Sequence, residues 1–324
     1  MKTVIATKFG GPEVLEVRDV PVPEPRDGQV RIKVHAAGLN YADIMQREGL
    51  YPNGPKPPFG VGFEVAGVID AVGSGEIAYK PGDAVMGFCE SGYSEYVVAD
   101  SARLLPKPES LDFAAAAAVP CQYLTAYHAL ITLGNLSAGQ NVLLQAAAGG
   151  LGTLMVQIAK NVGATVIGTC SSEEKVELLT ELGCDHPVNY AKKDFVQEVK
   201  RITNGQGCEL VVESVAGEVF DKSMRCIKTR GRLITLGAAS RQPATVNAIH
   251  LLANNLTVSG FHLMAYTADR EAMANALRDL QQWLGEGKLR IVARHQFPLE
   301  SAAEAQKFVS DRKSVGKVVL TTGA

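Results

Sequence analysis

The chain has 324 residues, enough for two domains with separate cores, and its 32 Lys+Arg against 34 Asp+Glu leave a formal net charge of −2. The two signs are interleaved, so the charge pattern offers no case for nucleic acid or an anionic membrane as a partner. Six cysteines without a C-x-x-C pair read as reduced, mostly buried thiols of a cytoplasmic protein.

In chain order, the N-terminal apolar run is broken by Lys8 and Gly10-Gly11-Pro12, too soon for a secretory core, and no later run reaches transmembrane length. Up to Pro120, short alternating segments (Val30 to Val34, Glu64 to Ile69, Tyr93 to Val98) are separated by Gly and Pro, which predicts a β-rich unit. Beyond it, strands are expected at 142–146, 164–169, 187–190, 209–214, 232–237 and 256–261, with helices between them, one of them over 125–133 and another from Glu173 to Leu182. That alternation is the pattern of an α/β doubly wound parallel sheet. A helix from Asp269 to Gly285, another from Leu299 to Ser310 and a closing strand, Gly316 to Leu320, are expected to return to the first domain. The domains are therefore placed at 1–121 with 261–324, and at 122–260.

The stretch Gln145-Ala146-Ala147-Ala148-Gly149-Gly150-Leu151-Gly152 follows an apolar strand and precedes an amphipathic run from Thr153 to Val162. A glycine-rich turn in that setting aims the N–H groups of a helix N-terminus at a pyrophosphate. Gly150 would let backbone approach the phosphates, and Gly152 would let helix and strand pack; Ala147 stands where the first glycine of G-x-G-x-x-G belongs. A buried strand–helix corner is the plain alternative.

The tip of the next strand bears on which dinucleotide fits. A site for an unphosphorylated ribose places Asp or Glu there. Here the position falls on Gly168-Thr169, followed by Ser171, Ser172 and Lys175, whose hydroxyls and ammonium suit a 2′-phosphate and hence NADPH. Ser171 or Ser172 would also cap the helix that begins at Glu173.

Several segments in the same order resemble one family across essentially the whole chain. Phe9-Gly10-Gly11-Pro12-Glu13, Gly38-Leu39-Asn40-Tyr41-Ala42-Asp43, Arg47-x-Gly49-x-Tyr51, Gly60-Val61-Gly62-Phe63-Glu64-Val65-Ala66-Gly67, Leu124-Thr125-Ala126-Tyr127 and the glycine turn are similar to the zinc-independent quinone oxidoreductases of the medium-chain dehydrogenase/reductase superfamily. The resemblance implies a GroES-like catalytic domain, a Rossmann domain, NADPH and a homodimer built through the edges of the nucleotide-binding sheets. Zinc-dependent relatives hold catalytic zinc at positions that match Asn40, Phe63 and Cys121 here. An amide and a phenyl ring in two of three places argue against zinc, which needs about three protein ligands in a catalytic site.

What the resemblance implies for the site is hydride transfer to an already electrophilic acceptor, a quinone or an activated C=C. The charge that develops on the acceptor oxygen needs a hydrogen-bond donor. Asn40, Asp43 and Tyr51 are the candidates, with a structural bond to loop backbone as the alternative for Asp43 and cover of its own loop, beside Pro52-Asn53-Gly54-Pro55, as the alternative for Tyr51. On the cofactor side, beside Ser171, Ser172 and Lys175, the resemblance assigns Thr125 (alternatively a helix cap), the turn residues Ala148, Gly149, Gly150, Leu151 and Gly152, Tyr190 (alternatively a strand-end aromatic), Gly237, Ala238, Phe261 and Arg312 (alternatively a solvated helix-end arginine). Met45 stands where many bacterial quinone reductases have tyrosine, which keeps reduction of enones or enoyl thioesters open. A mainly non-catalytic, NADPH-binding role is the other alternative.

Overall fold

The computed structural model describes residues 1–324, which divide into two compact units, Met1–Cys121 with Ile291–Ala324, and Gln122–Arg290. In the first unit the spine is the strand Gln29–Leu39. Val30, Ile32 and Val34 are fully buried and alternate with outward Arg31 and Lys33, the period of a half-buried strand. It pairs antiparallel with Glu64–Val72, Tyr96–Asp100 and the C-terminal strand Val318–Thr321. A smaller sheet joins Lys2–Ala6 to Leu15–Asp19 and Phe59–Gly60. The strand expected from Tyr93 begins at Tyr96 instead, because Tyr93 turns its N–H to Val61 O at 2.9 Å.

The short helix Tyr41–Glu48 leaves the end of the spine strand. Asp43, in its first turn, reaches back to the N–H of Asn40 at 2.7 Å, and Gly49 closes the helix in the left-handed region at φ 75°. A carboxylate over the first turn and a glycine after the last are the ordinary means of satisfying the end groups of a helix.

The second unit is built on a six-stranded, all-parallel sheet. In chain order its strands are Asn141–Leu144, Thr165–Cys170, His186–Asn189, Cys208–Glu213, Ile227–Thr235 and Thr257–Gly260. In space they run third, second, first, fourth, fifth, sixth. The order reverses between the first and fourth strands, where doubly wound sheets bind dinucleotides. Val142, Leu143 and Leu144 are fully buried, as expected of a strand covered on both faces.

Two further expectations need correction. A regular helix over 125–133 does not form. Leu124–Tyr127 is α-helical, but the turns on either side, Val119–Tyr123 and His128–Thr132, are widened, and Leu133 N–H reaches five residues back to His128 O at 2.8 Å. The return to the first unit also comes at Ile291, not at 261. The helix Arg270–Gly285 stays with the second unit because Tyr123 Oη donates to Ala276 O and Tyr127 Oη to Asp279 Oδ2, each at 2.8 Å. The Gln157 amide then pairs with both backbone groups of Arg290, at 2.7 and 3.0 Å.

Candidate functional site

The dinucleotide turn follows the first strand of the parallel sheet. Ala146 takes φ 52°, the left-handed conformation that the tight turn requires, and Gly149 is the N-cap of the helix Gly150–Val162. A β-carbon on Gly152 would stand 2.5 Å from Ala146 O and from Ala147 Cα, so helix and turn can close only on glycine. The turn rests on a buried polar chain: Thr169 Oγ1 donates to Gln145 Oε1 at 2.6 Å, and Gln145 Nε2 donates to Ser223 Oγ at 3.0 Å. Thr169 is therefore engaged by the turn itself, its Oγ1 also accepting the N–H of Ala146 at 3.3 Å.

Beyond Thr169 the second strand ends in a cluster of donors. Ser172 caps the helix Glu173–Glu181 by accepting the N–H of Lys175 at 3.4 Å, and Lys175 Nζ lies 3.4 Å from Ser171 Oγ. Glu173 is turned away, held by Asn189 at 2.6 Å and Lys192 at 2.9 Å. Two hydroxyls, an ammonium and a helix N-terminus are the donor types that suit an anion. Tyr190 is half exposed at the end of the third strand, its N–H on Cys170 O at 2.9 Å.

The loops after the fourth and fifth strands are bonded to each other. Glu213, fully buried, gathers the N–H groups of Val215 and Ala216 at 2.5 and 2.9 Å, and burial raises its carboxyl pKa. Ala239 and Ser240 donate to Ser214 O and Val215 O, which fixes the segment carrying Gly237 and Ala238. Phe261, with its N–H on Thr235 O, stacks on Tyr266 at 5.0 Å, and Tyr266 stacks on His128 at 5.4 Å. Thr125 does not cap a helix, because helical turns already run from Val119.

In the first unit, the Asn40 segment is wired into a buried cluster. Asn40 Nδ2 donates to Glu64 Oε1 at 2.6 Å, and Lys317 Nζ donates to Asn40 Oδ1 at 2.8 Å and to Glu64 Oε1 at 2.6 Å. Glu64 Oε2 accepts the N–H of Cys121 at 2.8 Å. Asp43 is withdrawn from solvent entirely and accepts both Asn40 N–H and Tyr93 Oη–H, the latter at 2.9 Å. Burial pushes its pKa up to about 7 against the opposing pull of those two donors. Asp43 thus holds the loop and has no surface to offer an acceptor, which corrects its placement among groups that touch substrate. Tyr51 lies half-buried in the turn after the helix, its N–H 3.2 Å from Met45 O, and burial raises its phenol pKa.

Comparison with known proteins gives this geometry a family. Residues 26–109 match the alcohol dehydrogenase GroES-like domain, and residues 150–282 match the domain described as zinc-binding dehydrogenase. Human quinone oxidoreductase is 35% identical, with 99% of this chain and 97% of that protein covered. The rat synaptic vesicle membrane protein VAT-1 homolog is 34% identical over 100% of this chain and 84% of its own. Among solved structures, Escherichia coli quinone oxidoreductase complexed with NADPH superposes with a TM-score of 0.94 at 29% identity, over 99% of this chain and 100% of that one.

The chain belongs to the medium-chain dehydrogenase/reductase superfamily. Within this superfamily member, the second unit brings together the glycine turn with Ala148 and Leu151, the Ser171-Ser172-Lys175 cluster and the Gly237-Ala238 loop at the carboxyl ends of the parallel strands. Arg312 instead belongs to the first unit, exposed in a left-handed turn at φ 59°. Sequence reasoning gave no role to Lys317, Glu64 and Tyr93, which brace the Asn40 segment, or to Gln145 and Glu213, which brace loops of the parallel sheet. A lysine interrupting the apolar run from Val315 to Leu320 was the available signal for Lys317. No helix is long and apolar enough to cross a membrane.

Proposed function

We propose that this protein is a zinc-independent, NADPH-dependent reductase whose acceptors are quinones. The observation that carries the reading is the Asn40 amide, held between Glu64 and Lys317 at a position where zinc-dependent relatives place a ligand. A buried ammonium beside an amide, with Phe63 at a second of the three matching positions, is a poor donor set for a metal cation. The residues present fit NADPH. Gly152 lets the turn close at the helix N-terminus, and the Ser171, Ser172 and Lys175 cluster suits a 2′-phosphate. Thr125, Tyr190, Gly237, Ala238, Phe261 and Arg312 are assigned to the same cofactor.

Bound NADPH would supply a hydride, and a proton drawn from solvent completes the hydroquinone. The chain's own task is to bind and orient the acceptor and to donate hydrogen bonds to its oxygen as negative charge develops there. Asn40 and Tyr51 take that role, and Asp43 keeps the Asn40 loop in place. Steady-state oxidation of NADPH against a panel of quinones, an enone, an enoyl thioester and a simple ketone tests the reading. Turnover with quinones supports it, whereas turnover with the simple ketone alone would overturn it. Met45, partly exposed beside Tyr51, favours the enone or enoyl thioester as the second reading.

The protein works as a homodimer. The strand Thr257–Gly260 is the edge of the parallel sheet, and the neighbouring helix Ala248–Asn254 exposes Ile249 at 76% and Leu252 at 79%. An open strand edge beside bare aliphatic side chains is a surface that a second copy would cover.

A further inference from the structure

We infer that Lys317 and Glu64 form a positioning pair for Asn40, with the ammonium dictating which way the amide faces. The inference rests on the proposed reading that Asn40 serves the acceptor. An ammonium only donates, so the amide atom 2.8 Å from Lys317 Nζ has to be oxygen. That turns Nδ2 toward the Glu64 carboxylate, which accepts it at 2.6 Å. Both contacts are met in the same orientation, and the ammonium, which also holds the carboxylate at 2.6 Å, anchors the two. The three residues come from far apart in the chain, Lys317 lying 277 positions from Asn40 and 253 from Glu64. Gly38 makes room for the arrangement, since a β-carbon there would stand 2.3 Å from Glu64 Oε1.

Side-chain exposure is 2% for Lys317 and 0% for Glu64. A pair so buried is a poor source of stability, because desolvating both charges offsets most of their attraction. What it supplies is direction. A flipped amide would point lone pairs where an N–H belongs, toward any oxygen gathering negative charge. Glu64 Oε2 also holds the N–H of Cys121, in the middle of the widened turn Val119–Tyr123.

The test uses the full chain with NADPH and p-benzoquinone. The variants are Lys317→Met and the charge-free pair Glu64→Gln/Lys317→Met, each with and without Asn40→Ala. Lys317→Met is expected to lower kcat by about 10-fold or more while the NADPH Kd moves less than about threefold. Adding Asn40→Ala to it should cost little further, since the effect passes through that amide. The charge-free pair should regain thermal stability but not kcat, because nothing then dictates the orientation of the amide. Multiplicative losses for Lys317→Met and Asn40→Ala, or full recovery of kcat in the charge-free pair, would overturn the inference. If the native protein reduces no quinone, the proposed function fails separately, and the pair is judged by side-chain amide NMR of labelled asparagine. One Asn40 Nδ2 proton should be shifted downfield by the carboxylate and lose that shift in Lys317→Met; an unchanged signal would sink the pair regardless of activity.

Discussion

The carboxamide of Gln122 lies directly on Gly150: a β-carbon on that glycine would stand 2.3 Å from Gln122 Oε1 and 2.7 Å from Nε2. The neighbouring Gly149 would meet only Ala146 O, at 3.4 Å. The second glycine of the turn therefore leaves room for a side chain, in addition to any room it leaves for phosphate. Gly150→Ala should weaken NADPH binding by about 10-fold, and Gln122→Ala should relieve most of that penalty. If the double variant binds as poorly as Gly150→Ala alone in fluorescence titrations, phosphate approach is the reason for the glycine and the steric account is wrong.

The donor cluster at the second strand makes a separate claim about cofactor choice. Lys175 Nζ and Ser171 Oγ are already near each other at 3.4 Å, with Glu173 diverted to Lys192 and Asn189. A charge-assisted hydrogen bond contributes roughly 1.5–3 kcal/mol, or about one to two decades in Kd. Lys175→Ala should raise the NADPH Kd by about that factor and leave NADH nearly unchanged. Equal weakening of both cofactors would place Lys175 elsewhere in the site.

Legibility in the sequence followed the range of the interactions. The parallel strands, the glycine turn and the Ser172 cap are set by neighbours within a few residues, so composition and spacing reveal them. The Asn40–Glu64–Lys317 cluster depends on three distant segments meeting, and no local pattern encodes that. The second boundary was misplaced for the same reason, since the pairing of Gln157 with Arg290 spans 133 positions. The helix expected at 125–133 failed because its widened turns are read from backbone bonding, not from residue periodicity. For Asp43 the sequence left catalysis and a loop anchor both open, because a carboxylate suits either; its burial and its bonds to Asn40 and Tyr93 favour the anchor.

Asp43 makes stability depend on pH. Its pKa rises from 3.8 to about 7 on folding, chiefly through burial, so the folded state favours the protonated carboxyl. Its contribution is fully present below about pH 4 and is lost as pH rises through about 7. Asn40 N–H, Tyr93 Oη–H and the Lys317 charge act in the opposite sense, and the Glu64 charge reinforces burial. Asp43→Asn keeps an acceptor for both hydrogen bonds without a charge to bury. Urea midpoints should therefore fall less between about pH 5 and pH 8 for the variant than for the native chain. Identical slopes would remove Asp43 as the source.

Metal dependence follows from the residues that hold Asn40. Because its amide is bonded to a carboxylate and an ammonium, and Phe63 offers no donor atom, prolonged treatment with chelators should leave quinone reduction unchanged. Zinc present at one equivalent by elemental analysis, and lost in step with activity, would reverse that conclusion.

Tyr51 tests the chemistry at the acceptor. It sits half-buried in a turn tied to Met45 O, close enough to Asp43 and Cys121 for their charges to add to the burial that raises its pKa. A phenol held protonated in this way donates at neutral pH and does not compete as a base. If Tyr51 donates to the acceptor oxygen, Tyr51→Phe removes one donor and should lower kcat by about 10²-fold or less, with NADPH binding unaltered. The loss should be larger for an enone than for a quinone. A quinone gains aromaticity on reduction and leans less on the donor, whereas an enone has to place full enolate charge on one oxygen. Equal losses for both acceptors would mean that Tyr51 only covers the loop, and an unchanged kcat for both would leave Asn40 as the sole donor of the two.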